Sequence, residues 1–163
     1  MGVAGCGKSA VGRLIAQHLA LPYIEGDDFH PPGNIARMQQ GIALDDDDRA
    51  GWLDVLAAEM ERHPAGVVLA CSALKAAYRD KLRRAASGVR FVYLAITQAQ
   101  SLQRVRRRAG HFYPPSLVES QFSALQDPSG EAGVLTLAAD AALRTLALQA
   151  VAWLVAGGVT SSL

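Results

Sequence analysis

The chain is poor in cysteine: Cys6 and Cys71 are its only two in 163 residues. Neither has a partner at metal-ligand or disulfide-framework spacing, which argues against a zinc module or a disulfide scaffold and predicts a reducing, cytoplasmic setting. Excess charge is also missing. Sixteen Lys and Arg offset fifteen Asp and Glu to leave a formal net charge of +1, so nucleic acid is not expected as a partner and only Arg104 to Arg108 form a local basic cluster. Long hydrophobic runs are absent too. The longest candidate, Leu146 to Ala156, falls short of the ~20 apolar residues a bilayer requires, contains Gln149 and follows Arg144. It reads as a buried C-terminal helix, and no membrane partner is expected. No signal peptide, repeat, low-complexity tract or linker is visible. A chain of this length that is 50% hydrophobic buries most of its apolar surface best in one domain spanning 1–163.

What is present begins at once. Gly2-Val3-Ala4-Gly5-Cys6-Gly7-Lys8-Ser9 fits the phosphate-binding pattern GxxxxGK[ST] without a mismatch. Its glycines let the loop curl so that successive backbone N–H groups face a polyphosphate. Lys8 adds a point charge over the β and γ oxygens, and Ser9 offers a hydroxyl to Mg²⁺. Val11, Leu14, Ile15 and Leu19 then recur on one helical face, which puts the phosphate at a helix N-terminus. A Gly-rich turn that merely precedes a helix would hold the Lys-Ser pair in register only by accident.

Further along, strand-length apolar runs alternate with helical patterns, which implies βαβ units and a parallel sheet. Strands are expected at 21–25, 67–71, 91–96 and 134–138. Helices are expected at 34–40, from the acidic run Asp45 to Asp48 onward, and at 75–84, 98–107, 116–126 and 141–156. Carboxylates favour the start of the second of these through side-chain capping and the helix dipole. A mobile lid is expected at about 108–118.

Ligands in open parallel sheets bind beyond the carboxyl ends of the strands. Glu25-Gly26-Asp27-Asp28-Phe29-His30 ends one strand, where a carboxylate can take the proton of an attacking hydroxyl or hold Mg²⁺ through water; a solvated acidic turn is the alternative. His30, before two prolines, could instead only order a loop. Arg49 follows four aspartates and has two readings, an intrahelical ion pair or a bidentate grip on a substrate carboxylate. Lys75 and Arg79 stand one helical turn apart and could share a face over the substrate. Arg104 and Arg108, also one turn apart, lead into the lid, where arginines stack on adenine or neutralise a transferred phosphoryl group; solvated basic residues are the alternative.

These residues resemble the gluconokinases of the small P-loop type, relatives of shikimate and adenylate kinases. The resemblance runs from Gly2 to about Asp140 and is carried by Glu25 to Leu53, Cys71 to Arg83 and Arg104 to Pro128. The GD-x-x-HP-x-x-N segment at 26–34 and the DDDR-x-x-WL segment at 46–53 are its most specific parts. The resemblance implies a three-layer α/β fold with a five-stranded parallel sheet and a lid. It implies a homodimer that transfers the ATP γ-phosphoryl group to the 6-hydroxyl of D-gluconate, with Mg²⁺. ATP would lie on Gly2, Val3, Ala4, Gly5, Cys6, Gly7, Lys8, Ser9 and Ala10, with Arg104 and Arg108. Asp27 becomes the base or hydroxyl positioner beside Lys8. Glu25 joins Ser9 at the metal through water, and His30, Arg49, Lys75, Arg79 and His111 contact the substrate. The runners-up are a kinase for another small hydroxy acid such as shikimate, which lacks the HPPGN segment, and a nucleotide-binding protein without catalysis.

Arg37 stands where the family leads one to expect Lys, and Ala43 where Pro is usual. The largest departure is at the front, where the strand that should lead into the phosphate loop is reduced to Met1. The expectation is a natural start upstream, with roughly five more residues rich in Val, Ile and Leu, since several buried apolar residues at ~1.5–3 kcal/mol each rival the whole margin of a domain.

Overall fold

The computed structural model describes residues 1–107 and 113–158. Four short strands, β1 (Tyr23–Glu25), β2 (Val68–Ala70), β3 (Phe91–Ala95) and β4 (Val134–Ala138), are separated by seven helices among the described residues. These are α1 (Lys8–Leu19), α2 (Pro32–Gln39), α3 (Asp46–Glu61), α4 (Ala76–Ala85), α5 (Gln98–Arg107), α6 (Val118–Ala124) and α7 (Leu143–Ala156). Two 3₁₀ turns, Gly26–Phe29 and Pro115–Leu117, complete the list. The alternation matches the apolar pattern, with ends displaced by a few residues.

All strand pairing is parallel, but the sheet is in two halves. β1 pairs with β2, setting Ile24 opposite Leu69, and β3 pairs with β4, setting Tyr93 opposite Thr136. Between the halves runs only the chain's first dipeptide. The Met1 α-amine donates to Val92 O at 2.6 Å, Leu94 N donates to Met1 O at 3.0 Å, and Gly2 N donates to Ser72 O at 3.2 Å. That is the start of a parallel rung between β2 and β3, and it goes no further. Behind it lies a cavity of about 440 Å³ lined by apolar side chains that include Ile15, Leu19, Val68, Leu82 and Val92. The uninterrupted Val67 to Cys71 run, expected to be buried on both faces, is accordingly half-open at Val68 and Leu69. The implied five-stranded sheet is therefore four strands with a vacant central position among the described residues.

Two apolar layers hold the halves together. On one face α1 and α7 pack Val11, Ile15, Leu19, Leu146, Ala147 and Ala150 against Val3, Leu74 and Leu94. On the other, α3 and α4 contribute Trp52, Leu53, Leu56, Met60, Tyr78 and Leu82. The closing helix predicted from 141–156 thus lies in the protein core, and no described helix is long and apolar enough to cross a membrane.

The acidic run does local work that its composition foretold. Asp45 caps α3 in a reciprocal box with Asp48: Asp48 N donates to Asp45 Oδ1 at 2.8 Å and Asp45 N to Asp48 Oδ2 at 3.0 Å. Asp46 and Asp48 then reach sideways, to Lys75 and Arg37.

Candidate active site

At the carboxyl end of the strands, Ala4, Gly5, Gly7, Lys8 and Ser9 line a cleft whose opposite wall carries Asp27, His30, Arg49 and Trp52. Ser72, Tyr113, Leu117, Ser120 and Gln121 close its sides. The loop geometry follows from its glycines. Gly7, the residue before α1, has φ 100°, and a Cβ there would meet nothing within 4 Å, so the main chain faces open space where a phosphate oxygen can approach. No side chain caps α1, which leaves its first N–H groups and its dipole for an anion. The Lys8 ammonium donates to Val3 O at 3.1 Å, folded over its own loop.

The loop is also braced from outside. Ser101 Oγ donates to Ala4 O at 2.7 Å, and Arg104 donates to Gly5 O at 3.4 Å and to Ala139 O at 2.8 Å. Arg104 therefore ties the phosphate loop to the end of β4.

Asp27 is presented by the 3₁₀ turn after β1, and that turn is clamped. Trp52, only 2% exposed, donates its Nε1–H to Gly26 O at 2.8 Å. A Cβ on Gly26 would come within 2.6 Å of Ala70 O, so glycine lets the turn seat against β2. His30 stacks flat on Trp52, with ring centroids 4.2 Å apart and planes at 14°. Its Nδ1 is buried and finds no partner among the described residues. Burial pushes the His30 imidazole below its ordinary value and Arg49 adds to this, against the opposing pull of Asp27.

Arg49 enters the cleft from the first turns of α3, where its Nη1 donates to Leu44 O at 2.5 Å and Asp45 O at 3.4 Å. It forms no ion pair among the described residues. Of its two readings, the intrahelical ion pair is the one this geometry lacks.

Three predicted site residues stand elsewhere. Arg79 is fully buried: Nη1 donates to Ala73 O and Leu74 O, and Nε and Nη2 grip Glu131. Lys75 stands just before α4 rather than on it, and Arg79 faces the core, where its fork staples α4 to the 127–133 segment. Lys75 reaches the Asp46 carboxylate at 2.6 and 2.8 Å, outside the cleft wall. Glu25 accepts from Tyr23 OH at 2.7 Å, lies 3.6 Å from Arg13, and is not among the residues that line the cleft. Arg108 and His111, with the first five residues of the expected lid, lie outside the described residues. The described remainder, from Tyr113, packs Leu117 against Met38 and Leu44 beside the cleft.

Trp52 and Gln121 were not anticipated as site residues. Trp52 showed only as part of the DDDR-x-x-WL segment, with no role of its own, and nothing marked Gln121 within its helix.

Comparison with known proteins gives the family. The shikimate kinase family model matches residues 4–127. The thermosensitive gluconokinase of Escherichia coli is 42% identical over 135 residues, covering 80% of this chain and 72% of that protein. A crystal structure of a gluconokinase from Sinorhizobium meliloti, also 42% identical, superposes with a TM-score of 0.85 over 96% of this chain and 89% of that one. The chain belongs to the gluconokinase family. A sugar kinase from Janibacter, 36% identical, matches at a TM-score of 0.89 over 98% of this chain and 95% of that one. The protein is thus a P-loop kinase, a phosphotransferase of a family that uses ATP and typically a divalent metal.

Proposed function

We propose that the protein transfers the γ-phosphoryl group of ATP to the 6-hydroxyl of D-gluconate. The observation that carries this reading is the meeting, in one cleft, of a phosphate loop with a carboxylate, an imidazole and an arginine that forms no ion pair among the described residues. The loop from Gly2 to Ala10, through the N–H groups that Ser72, Val3 and Gln121 do not engage, and the Lys8 ammonium would bind the triphosphate and oppose the charge that spreads over the transferring group. Asp27 would accept or orient the proton of the attacking hydroxyl. Arg49, with donors to spare beyond Leu44 O, would grip the sugar-acid carboxylate, and neutral His30, held flat on Trp52, would form part of the sugar-acid wall.

The oxygens of Ser9 and Asp27 line the same cleft and form the hard donor set that suits Mg²⁺. When bound there, the ion supplies charge neutralisation for the phosphates. Glu25 fits that role poorly because Tyr23 and Arg13 engage it. Arg104, as a loop brace, and Arg108 complete the nucleotide side, and His111 the sugar side. Lys75 and Arg79 act through the fold. A homodimer in the cytoplasm belongs to the same reading, and two buried free thiols suit that compartment.

Asp27→Asn tests the assignment. We expect kcat with gluconate to fall by about 10²-fold or more, the scale of general base catalysis. An unaltered kcat removes Asp27 from the chemistry.

A further inference from the structure

One peptide of the phosphate loop is held from both sides. The Val3 carbonyl accepts from Lys8 Nζ at 3.1 Å, and the N–H of the same unit, on Ala4, donates to Gln121 Oε1 at 2.5 Å. In a trans peptide those two groups point in opposite directions. Lys8 and Gln121 therefore flank a single peptide plane, one from α1 and the other from α6. Because the backbone group is a donor, the oxygen of the carboxamide must face it, and the amide orientation is settled by that bond. Nε2, with its two N–H donors, then has no partner among the described residues, and Gln121 lines the cleft alongside Lys8, Ser9 and Asp27.

We infer that Gln121 is a second donor to the γ-phosphoryl group, placed across the Val3–Ala4 peptide from Lys8, with its Oε1 anchored on the loop so that Nε2 is aimed without further ordering. The inference rests on the phosphoryl-transfer reading above. Its physical content is preorganisation: a neutral donor fixed by the loop stabilises developing negative charge without bringing a counter-charge of its own. A donor to the γ-phosphoryl group would be felt by the triphosphate and not by the diphosphate, which lacks that group.

The test compares Mg·AMP-PNP and Mg·ADP binding by calorimetry in the intact protein and in Gln121→Met, a neutral variant of similar length without hydrogen-bonding groups. The expected result is an AMP-PNP affinity reduced about tenfold, an ADP affinity changed less than twofold, and a kcat lowered more than the KM for gluconate is raised. Gln121→Glu, which keeps an acceptor for Ala4 N–H but replaces the donor with an anion, should lose AMP-PNP affinity still further while melting within a few degrees of the parent. Equal losses for both nucleotides in Gln121→Met, or wild-type AMP-PNP binding in Gln121→Glu, would overturn the inference. Failure of the parent protein itself to bind either nucleotide would instead strike the phosphoryl-transfer reading.

Discussion

The His30 imidazole lies against the Trp52 indole at 4.2 Å, nearly parallel, while the same indole holds Gly26 O through its Nε1–H. One buried side chain of α3 thus sets both the turn that presents Asp27 and the ring that ends it. Burial makes the neutral form of His30 the stable one. The unfolded chain takes up that proton first, so this contribution to stability is present above about pH 6.5 and is lost as pH falls below it. We expect an NMR titration to place the His30 midpoint below 6.5, with the KM for gluconate rising at acid pH more than that for ATP. A midpoint above 6.5 would contradict the packing argument.

Arg49 offers a sharper contrast. A planar fork gripping a carboxylate cannot be replaced by a point charge, so Arg49→Lys should raise the KM for gluconate at least tenfold and that for ATP hardly at all. Steady-state kinetics with each substrate varied in turn measures this. An unchanged gluconate KM would return Arg49 to a surface role.

Arg79 and Glu131 form the ion pair on which the other side of the sheet depends. Arg79 is 0% exposed and Glu131 28%, and together with Arg83 the arginine holds the Glu131 carboxyl down to about 2. Truncation by Glu131→Ala leaves a buried guanidinium without its partner and should cost about 3 kcal/mol, the low end for a broken buried pair because Glu131 is partly open to water. The depressed carboxyl contributes stability above the unfolded value near 4.5, and that contribution is lost as pH falls toward 2. Urea unfolding between pH 2 and 7 should show this acid slope in the parent and a weaker one in the variant.

The vacant position between β2 and β3 makes a further prediction. Burial lowers the Met1 α-amine from 8.0 to about 6, so the chain as it stands should gain stability as pH rises from 6 to 8. An engineered N-terminal extension of five Val and Ile residues would continue the rung begun by Met1, fill the cavity of about 440 Å³ and remove the buried amine. We expect it to raise stability by on the order of 5 kcal/mol and to flatten the slope between pH 6 and 8. An extended chain no more stable than the parent would mean the two half-sheets do not accept a strand.

How much of this was legible in the sequence depended on how local each signal was. The phosphate loop, the capping box at Asp45 and the turn carrying Asp27 announce themselves within a few residues, because their physics is that of neighbouring backbone and side-chain groups. Lys75 and Arg79 show the limit. Helical spacing suggested a shared face, but Lys75 stands before α4 and Arg79 is buried within it, because Asp46 and Glu131, 29 and 52 residues away, claim them. Trp52 was hidden for the opposite reason: its apolar bulk explains its position so well that its single N–H, the part that holds the Asp27 turn, leaves no trace in the pattern.

The central claim is most directly tested by the product. Incubated with ATP, Mg²⁺ and a panel of sugar and hydroxy acids that includes shikimate, the protein should turn over D-gluconate preferentially. The ³¹P spectrum of that product should show one phosphate ester coupled to the two protons on carbon 6. Preferential turnover of shikimate, or an ester coupled to a single methine proton, would contradict the account.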